Sequence, residues 1–290
     1  MLLKDNKELK QNDFKNEKEL QNYFENNLTK ILGLKFIDTE VSVGSFRIDT
    51  LAFDEESNSF RIIEYKNIKN HSLVDQGYTY LKLMLERKAD FVLKYSLKTG
   101  KTLDINDIDW SQSRIIFVSP IFTPYQLNAT DFKNIPVDLI KISKYDENIV
   151  EIDKIQKTSN VKVEEMNLNN DNEINKEIVV YTEEDHLTKC SEEVKNMYFA
   201  LRDKILEMGD IDLEVKKIYI AFKGIKNIVD IEVFKKFLQI TINMKKGTLN
   251  DPNKIINTYV LEDGKTMGHH GNGDYYLSIY HEDEIDKISV

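Results

Sequence analysis

The amino-acid sequence predicts an α/β protein with a mixed central sheet flanked by helices, followed by a smaller α+β domain. Three observations carry that expectation. Residues 1–150 alternate segments of helical period with short runs rich in β-branched and aromatic residues. Residues 151–185 lose sustained periodicity and fill with Asn, Glu and Lys. Residues 186–290 open on a second amphipathic helix and continue into further strand-like runs. The expected organisation is therefore a first domain over 1–150, an acidic Asn-rich linker over 151–185 and a second domain over 186–290. A chain of 290 residues is long enough to bury a core in each.

The first domain is read element by element. Residues 17–34 (EKELQNYFENNLTKILGL) place Leu20, Phe24, Leu28, Ile31 and Leu32 at helical spacing, with Gly33 as a stop signal. Two short runs follow, SFRIDTLAFD and SFRIIEYKN, separated by a polar turn around 55–58, and then a helix over 73–88. Residues 91–93, 114–118 and 137–142 read as further sheet strands. In the second domain Ser191 caps a helix with acidic residues in its first turn, and Gly209 lies past its end. Ile218, Ile220 and Phe222 then alternate with Tyr219 and Ala221, and FLQITINM and DYYLSIY carry strand-like enrichment.

Composition narrows the class. Hydrophobic residues make up 41% and charged residues 31%, with 4 Pro and 11 Gly, the profile of a folded chain. No stretch approaches the roughly 18 apolar residues of a membrane span. The N-terminus is rich in Lys, Asp, Asn and Glu where a secretion signal would carry an apolar core. A cytoplasmic protein with no membrane partner is expected. Cys190, the single cysteine, can close no internal disulfide and is read as a structural thiol. The net charge of −10 argues against a broadly basic surface for nucleic acid. That acidity is concentrated, however: Lys and Arg against Asp and Glu number 21 and 23 over 1–150, 4 and 10 over 151–185, and 15 and 17 over 186–290. The first domain is nearly neutral, so nucleic-acid binding stays open there.

The chemistry is concentrated in the two runs at 46–53 and 60–66. If they form a hairpin with Phe53 opposite Phe60, then Leu51 faces Ile62, Asp49 faces Glu64, and Lys66 follows two residues along the same face. Facing side chains have β-carbons about 4.5–5.5 Å apart, so two carboxylates there repel unless a cation lies between them. The neighbours Ile48, Leu51, Ile62 and Ile63 predict burial, where an unpaired carboxylate is costly. Phosphodiester hydrolysis needs such equipment: a hard cation held by oxygens, and a group that positions water or offsets charge on the phosphate. Asp49 and Glu64 are the candidate metal ligands, and Lys66 the group beside them. Gln76 and Tyr80, four apart on the next helix, share a face that can point back at the site. The alternative is a solvated surface hairpin, since a chain with 31% charged residues produces Asp…Glu-x-Lys by chance in several places.

The segment RIDTLAFDEESNSFRIIEYKN also resembles the core of the PD-(D/E)xK nuclease superfamily, the restriction-endonuclease-like proteins, and their RecB-like branch in particular. The resemblance extends upstream through EKELQNYFENNLTKILGLKFIDTE and downstream to Gln76 and Tyr80, which match that branch's Gln-x3-Tyr motif; it covers roughly residues 14–145. It implies a restriction-endonuclease-like core in which Asp49 and Glu64 bind magnesium, with manganese as a substitute, and Lys66 is catalytic. It also implies a first-helix glutamate in the metal or water network. Glu17 holds that position, with Glu19 and Glu25 as competitors, because glutamate at a helix start is also favourable dipole chemistry. Glu40 is read as an edge-strand charge. Ile48 stands where the superfamily's name has proline, a common substitution in this branch. Arg47 is read as solvated or salt-bridged, with a phosphate contact as the alternative.

The second domain says less. Its run GHHGNGD (268–274) is read as a tight turn before a strand, with a phosphate or metal contact through His269 or His270 as the alternative. Residues 186–290 resemble a small domain of unknown function that accompanies nuclease-like regions and is often described as a predicted transport protein. Nothing in the sequence supports transport, and binding or substrate selection is expected instead. The resulting expectation is a magnesium-dependent endonuclease or exonuclease acting on nucleic acid, DNA in preference to RNA, in repair or in defence against foreign DNA, with homodimer formation as one assembly. The rival is a non-catalytic module that keeps the nuclease fold and binds nucleic acid or protein.

Overall fold

The computed structural model of the 290-residue chain describes residues 2–66, 73–132, 134–159, 177–251, 255–261, 264–266 and 272–285. It divides into two compact units, 1–180 and 181–290.

In the first unit, short strands β1 (Leu2–Lys4), β2 (Lys7–Leu9) and β3 (Gln11–Asn12) precede helix α1 (Glu17–Leu32). Asn16 caps α1 by accepting from the Glu19 N–H, and Gly33 closes it in the left-handed conformation, at φ 70°, that glycine adopts without steric cost. Three antiparallel strands follow: β4 (Lys35–Val43), β5 (Phe46–Asp54) and β6 (Ser59–Tyr65). Helices α2 (Leu73–Glu86) and α3 (Lys88–Thr99) lead to β7 (Arg114–Ser119), the short helix α4 (Pro124–Thr130), β8 (Val137–Tyr145) and β9 (Val150–Ile155). The sheet runs β3-β8-β7-β6-β5-β4, with β9 also pairing β8. Strands β6, β7 and β8 are parallel and the other pairings antiparallel, so the sheet is mixed, as expected.

Both faces of that sheet are covered, which explains why β6 is buried along its whole length, its polar Ser59, Arg61 and Glu64 included. Ile62, Ile115, Phe117, Val137 and Leu139 pack with α2 and α3. Their neighbours Ile63, Tyr65, Ile116, Val118 and Ile140 pack with Leu20, Phe24 and Leu28 of α1. At the turn between β5 and β6, Arg61 and Asp54 form a buried ion pair at 2.7 Å.

Two expectations for this unit need correction. Residues 91–93 are not a strand but part of α3. Phe91 and Tyr95, one helical turn apart, bury their rings against Phe60 and Phe53 at 5.8 and 4.7 Å between centroids, and a three-residue apolar run carries no period that separates helix from strand. The expected linker is also structured at both ends. Residues from Glu151 belong to β9, whose alternation of exposed and half-buried positions reflects an edge strand with a single partner. Near the other end Ile178 is buried in the first core and Val179 donates its N–H to the Ser111 carbonyl.

The second unit begins with the short helix α5 (Glu183–Leu187) and α6 (Glu192–Leu206), capped by Ser191 as expected. Strands β10 (Asp212–Val215), β11 (Ile220–Lys223), β12 (Asn227–Val233), β13 (Leu238–Ile242), β14 (Asn257–Thr258) and β15 (Tyr275–Ile279) form an antiparallel sheet in the order β10-β11-β12-β13-β15-β14. Val194, Met197, Tyr198 and Leu201 of α6 pack on Ile220, Phe222, Ile231, Ile240 and Leu277. Ile218, expected on the buried face of a strand, precedes β11 and is exposed.

Candidate active site

The β5–β6 ladder pairs Phe53 with Phe60 and Leu51 with Ile62, the register expected from the sequence, and reaches Thr50 opposite Ile63. Beyond that pair, side chains take over from backbone carbonyls. The Asp49 N–H donates to Glu64 Oε1 at 3.0 Å, and the Tyr65 N–H donates to Asp49 Oδ2 at 3.0 Å. The two carboxylates therefore meet where the strands part, each anchored by an amide that would otherwise need a ladder partner. Across the sheet the Lys66 N–H still bonds the Val118 carbonyl of β7, which holds the end of β6 in place.

The remaining side chains converge on Glu64. Lys66 Nζ lies 3.5 Å from Glu64 Oε2, and Gln76 Nε2 donates to the same oxygen at 2.8 Å. Gln76 also reaches the Tyr80 hydroxyl at 3.2 Å, and that hydroxyl donates to the Arg47 carbonyl at 3.0 Å. Gln76 and Tyr80 thus share one face of α2 and tie it to β5 and β6. Gly77 permits the close approach of α2 that this requires: a β-carbon there would stand 3.0 Å from Ile115 Cγ2.

The electrostatics follow from burial. Desolvation pushes the Glu64 carboxyl up to about 7, with the Asp49 charge adding to the rise and hydrogen bonding to the Asp49 N–H opposing it. Desolvation also raises Asp49; the Tyr65 N–H and Lys66 oppose it, and the Glu40 and Glu17 charges reinforce it. Burial raises the Tyr80 hydroxyl, as does the charge on Glu64. Lys66 is the one ammonium in contact with the pair among the described residues, so the site carries more buried negative charge than its own cations offset.

The three first-helix glutamates separate. Glu19 accepts from the Lys15 N–H and pairs with Lys144 at 2.9 Å. Glu25 accepts from Thr50 Oγ1 at 2.5 Å and Gln21 Nε2 at 3.0 Å. Glu17, in the first turn of α1, is the one whose charge is felt at Asp49. Glu40 lies on the edge strand β4 at φ 52°, held by Lys18 at 2.8 Å and Arg47 at 3.0 Å, so Arg47 is salt-bridged. The sequence reading missed Gln21. Buried on α1, it donates to the Asp49 carbonyl at 2.9 Å and to Thr39 Oγ1 at 3.0 Å, fixing the backbone of the metal-ligand candidate. The available signal was a polar residue on the apolar stripe of Leu20, Phe24 and Leu28.

The residues present suit a hard divalent cation: two carboxylates, partly desolvated, with Asp49 Oδ1 uncommitted among the described residues. Among the described residues no group of three or more His, Cys, Asp and Glu side chains is placed to hold a metal, and the carboxylates that meet here are Asp49 and Glu64. In the second unit His269 and His270 lie outside the described residues. The described end of that run makes structural contacts: Asn272 donates to buried Asp230 at 2.8 Å and Asp274 accepts from the Lys246 N–H at 2.8 Å.

Comparison with known proteins gives a full-length match. An uncharacterized protein of Haemophilus influenzae is 44% identical over 285 residues, covering 97% of this chain and 93% of its own length. Residues 183–287 match a family described as a domain of unknown function, DUF5655. Among solved structures, an EndoMS–dsDNA complex overlaps 44% of the chain at a TM-score of 0.30 and 18% identity. A repair endonuclease from Pyrococcus abyssi overlaps 41% at a TM-score of 0.23 and 21% identity. The chain spans less than half the length of either, 45% and 44% respectively. No helix among the described residues is long and apolar enough to cross a membrane.

Proposed function

We propose, for a chain that belongs to the same family as the uncharacterized Haemophilus influenzae protein, that its first unit is a metal-dependent nuclease of the PD-(D/E)xK type. The observation that carries this reading is the pair of interlocked, desolvated carboxylates at the break in the β5–β6 ladder, with Lys66 beside them. Such a pair is electrostatically costly in a purely structural role, and Glu64 is displaced toward neutrality in consequence. Asp49 and Glu64 are the metal ligands in this proposal, with magnesium as the ion and manganese as its substitute. Bound there, the ion supplies a Lewis acid for the phosphoryl oxygens and a water of lowered pKa.

The chain's own groups do the rest. Lys66, fixed at the end of β6 by the Val118 carbonyl, presents an ammonium that offsets charge developing on the phosphoryl group or holds the attacking water. Gln76 directs Glu64 Oε2, and Tyr80 holds Gln76 against β5. Glu17 adds negative charge on the Asp49 side. The proposed substrate is nucleic acid, DNA in preference to RNA.

Purified protein incubated with magnesium or manganese and with DNA and RNA of several forms is expected to cut phosphodiester bonds. Asp49→Asn and Lys66→Ala should each lower the rate by about 100-fold or more, the scale of losing an electrostatic contact to the transition state. Activity that survives both substitutions removes the assignment. A non-catalytic module on the same fold predicts instead no uptake of magnesium that depends on Asp49 and Glu64, which calorimetry reads directly.

A further inference from the structure

We infer that Phe46, on the hairpin whose tip Arg87 also reaches, is a base-stacking shelf at the lip of the Asp49–Glu64 centre, and that the substrate presents unstacked bases, as single-stranded or frayed nucleic acid. The inference rests on the nuclease reading of that centre and adds the form of the substrate. Phe46 begins β5, three residues before a candidate metal ligand, and leaves 43% of its surface exposed. It is nevertheless held: its ring packs edge-on against Tyr80, 6.3 Å between centroids at 87°. A continuous set of contacts then joins it to the carboxylates, from Tyr80 through Gln76 Nε2 to Glu64 Oε2. The exposed part of this ring, perpendicular to Tyr80 and joined through it to the acidic pair, is the surface a base would meet.

The charges beside it match a polyanion. Arg47 follows directly in the chain on the opposite face of β5, its side chain 69% exposed although it pairs with Glu40. The Arg87 guanidinium reaches the same hairpin tip, 3.6 Å from where a β-carbon on Gly44 would stand, and is 49% exposed while paired with Asp90 at 3.5 Å. A guanidinium has five N–H donors, so one carboxylate partner leaves donors for a phosphate. An exposed aromatic ring with cationic side chains in the same region is an arrangement by which proteins hold single strands without reading sequence. Bases inside an intact duplex are stacked on one another, which removes the partner that Phe46 would need.

The experiment uses one oligonucleotide as a single strand and in a duplex, as DNA and as RNA, with a single 2-aminopurine near its end. Cleavage is followed in magnesium and base stacking by fluorescence quenching in EDTA. The wild-type protein is expected to favour the single strand about tenfold or more, with quenching of the probe. Phe46→Ala should raise KM about tenfold with kcat nearly unchanged and abolish the quenching, whereas Phe46→Trp should keep both, which separates loss of stacking from loss of fold. Equal cleavage of duplex and single strand, unchanged in Phe46→Ala, overturns the shelf and leaves the nuclease reading intact. Quenching that depends on Phe46 without any cleavage supports the shelf and removes the nuclease. Neither cleavage nor quenching removes both.

Discussion

At the scale of single residues, Glu64 links stability to function. An acid whose folded-state pKa stands above its unfolded value holds its proton more tightly when folded. The stability it confers is therefore present at low pH and is lost as pH rises from its ordinary value near 4.5 through about 7. Metal-free protein is expected to melt at a higher temperature at pH 5.5 than at pH 8.5. Glu64→Gln should flatten that dependence and raise the melting temperature at pH 8.5, because it removes the buried charge while keeping an acceptor for the Asp49 N–H. Thermal melts across pH check both, and a Glu64→Gln protein less stable than wild type at pH 8.5 would contradict the assigned cost. Magnesium should offset the same penalty, binding more tightly as pH rises through 7 and releasing protons as it binds.

At the scale of elements, the decisive fit is α2 against the sheet. Gly77 sits between Gln76, which bonds Glu64, and the Ile115 and Val137 side chains beneath the helix. Gly77→Val should wedge α2 away from β7, lower stability by roughly 1–3 kcal/mol as an overpacked core position does, and reduce cleavage further by displacing Gln76. Urea unfolding together with a cleavage assay reads both parts. If cleavage falls only in proportion to the folded fraction, α2 does not position the site. The same comparison shows how much was legible in the sequence. Alternation in SFRIDTLAFD and SFRIIEYKN was enough to give the β5–β6 register, and with it the meeting of Asp49 and Glu64, because a one-residue slip would have turned Leu51, Phe53 and Ile62 out of the core. Helix α1 and its Gly33 stop were legible for the corresponding reason. Strands β10, β12 and β9 were not. β10 is half-buried throughout and β9 is an edge, so neither carries a two-residue period strong enough to stand out from loop. The role of Gln21 escaped because its partner is a backbone carbonyl distant in sequence, which side-chain pattern does not record.

At the scale of the whole molecule, the chain holds two units with separate cores. The sheet and α6 of the second unit supply their own apolar contacts, so residues 181–290 produced alone are expected to give a single cooperative thermal transition. A circular-dichroism melt without a transition would show that this core is completed elsewhere. That independence leaves the first unit's β5–β6 hairpin as the frame for the proposed chemistry. Its most consequential detail is the handover of two amides from ladder carbonyls to acidic side chains. The Asp49 and Tyr65 amide protons thereby become reporters written into the chain: any ion or substrate that draws a carboxylate aside loosens a hydrogen that deuterium can replace. Occupancy of the centre is thus recorded in exchange rates at two known positions, with no label attached.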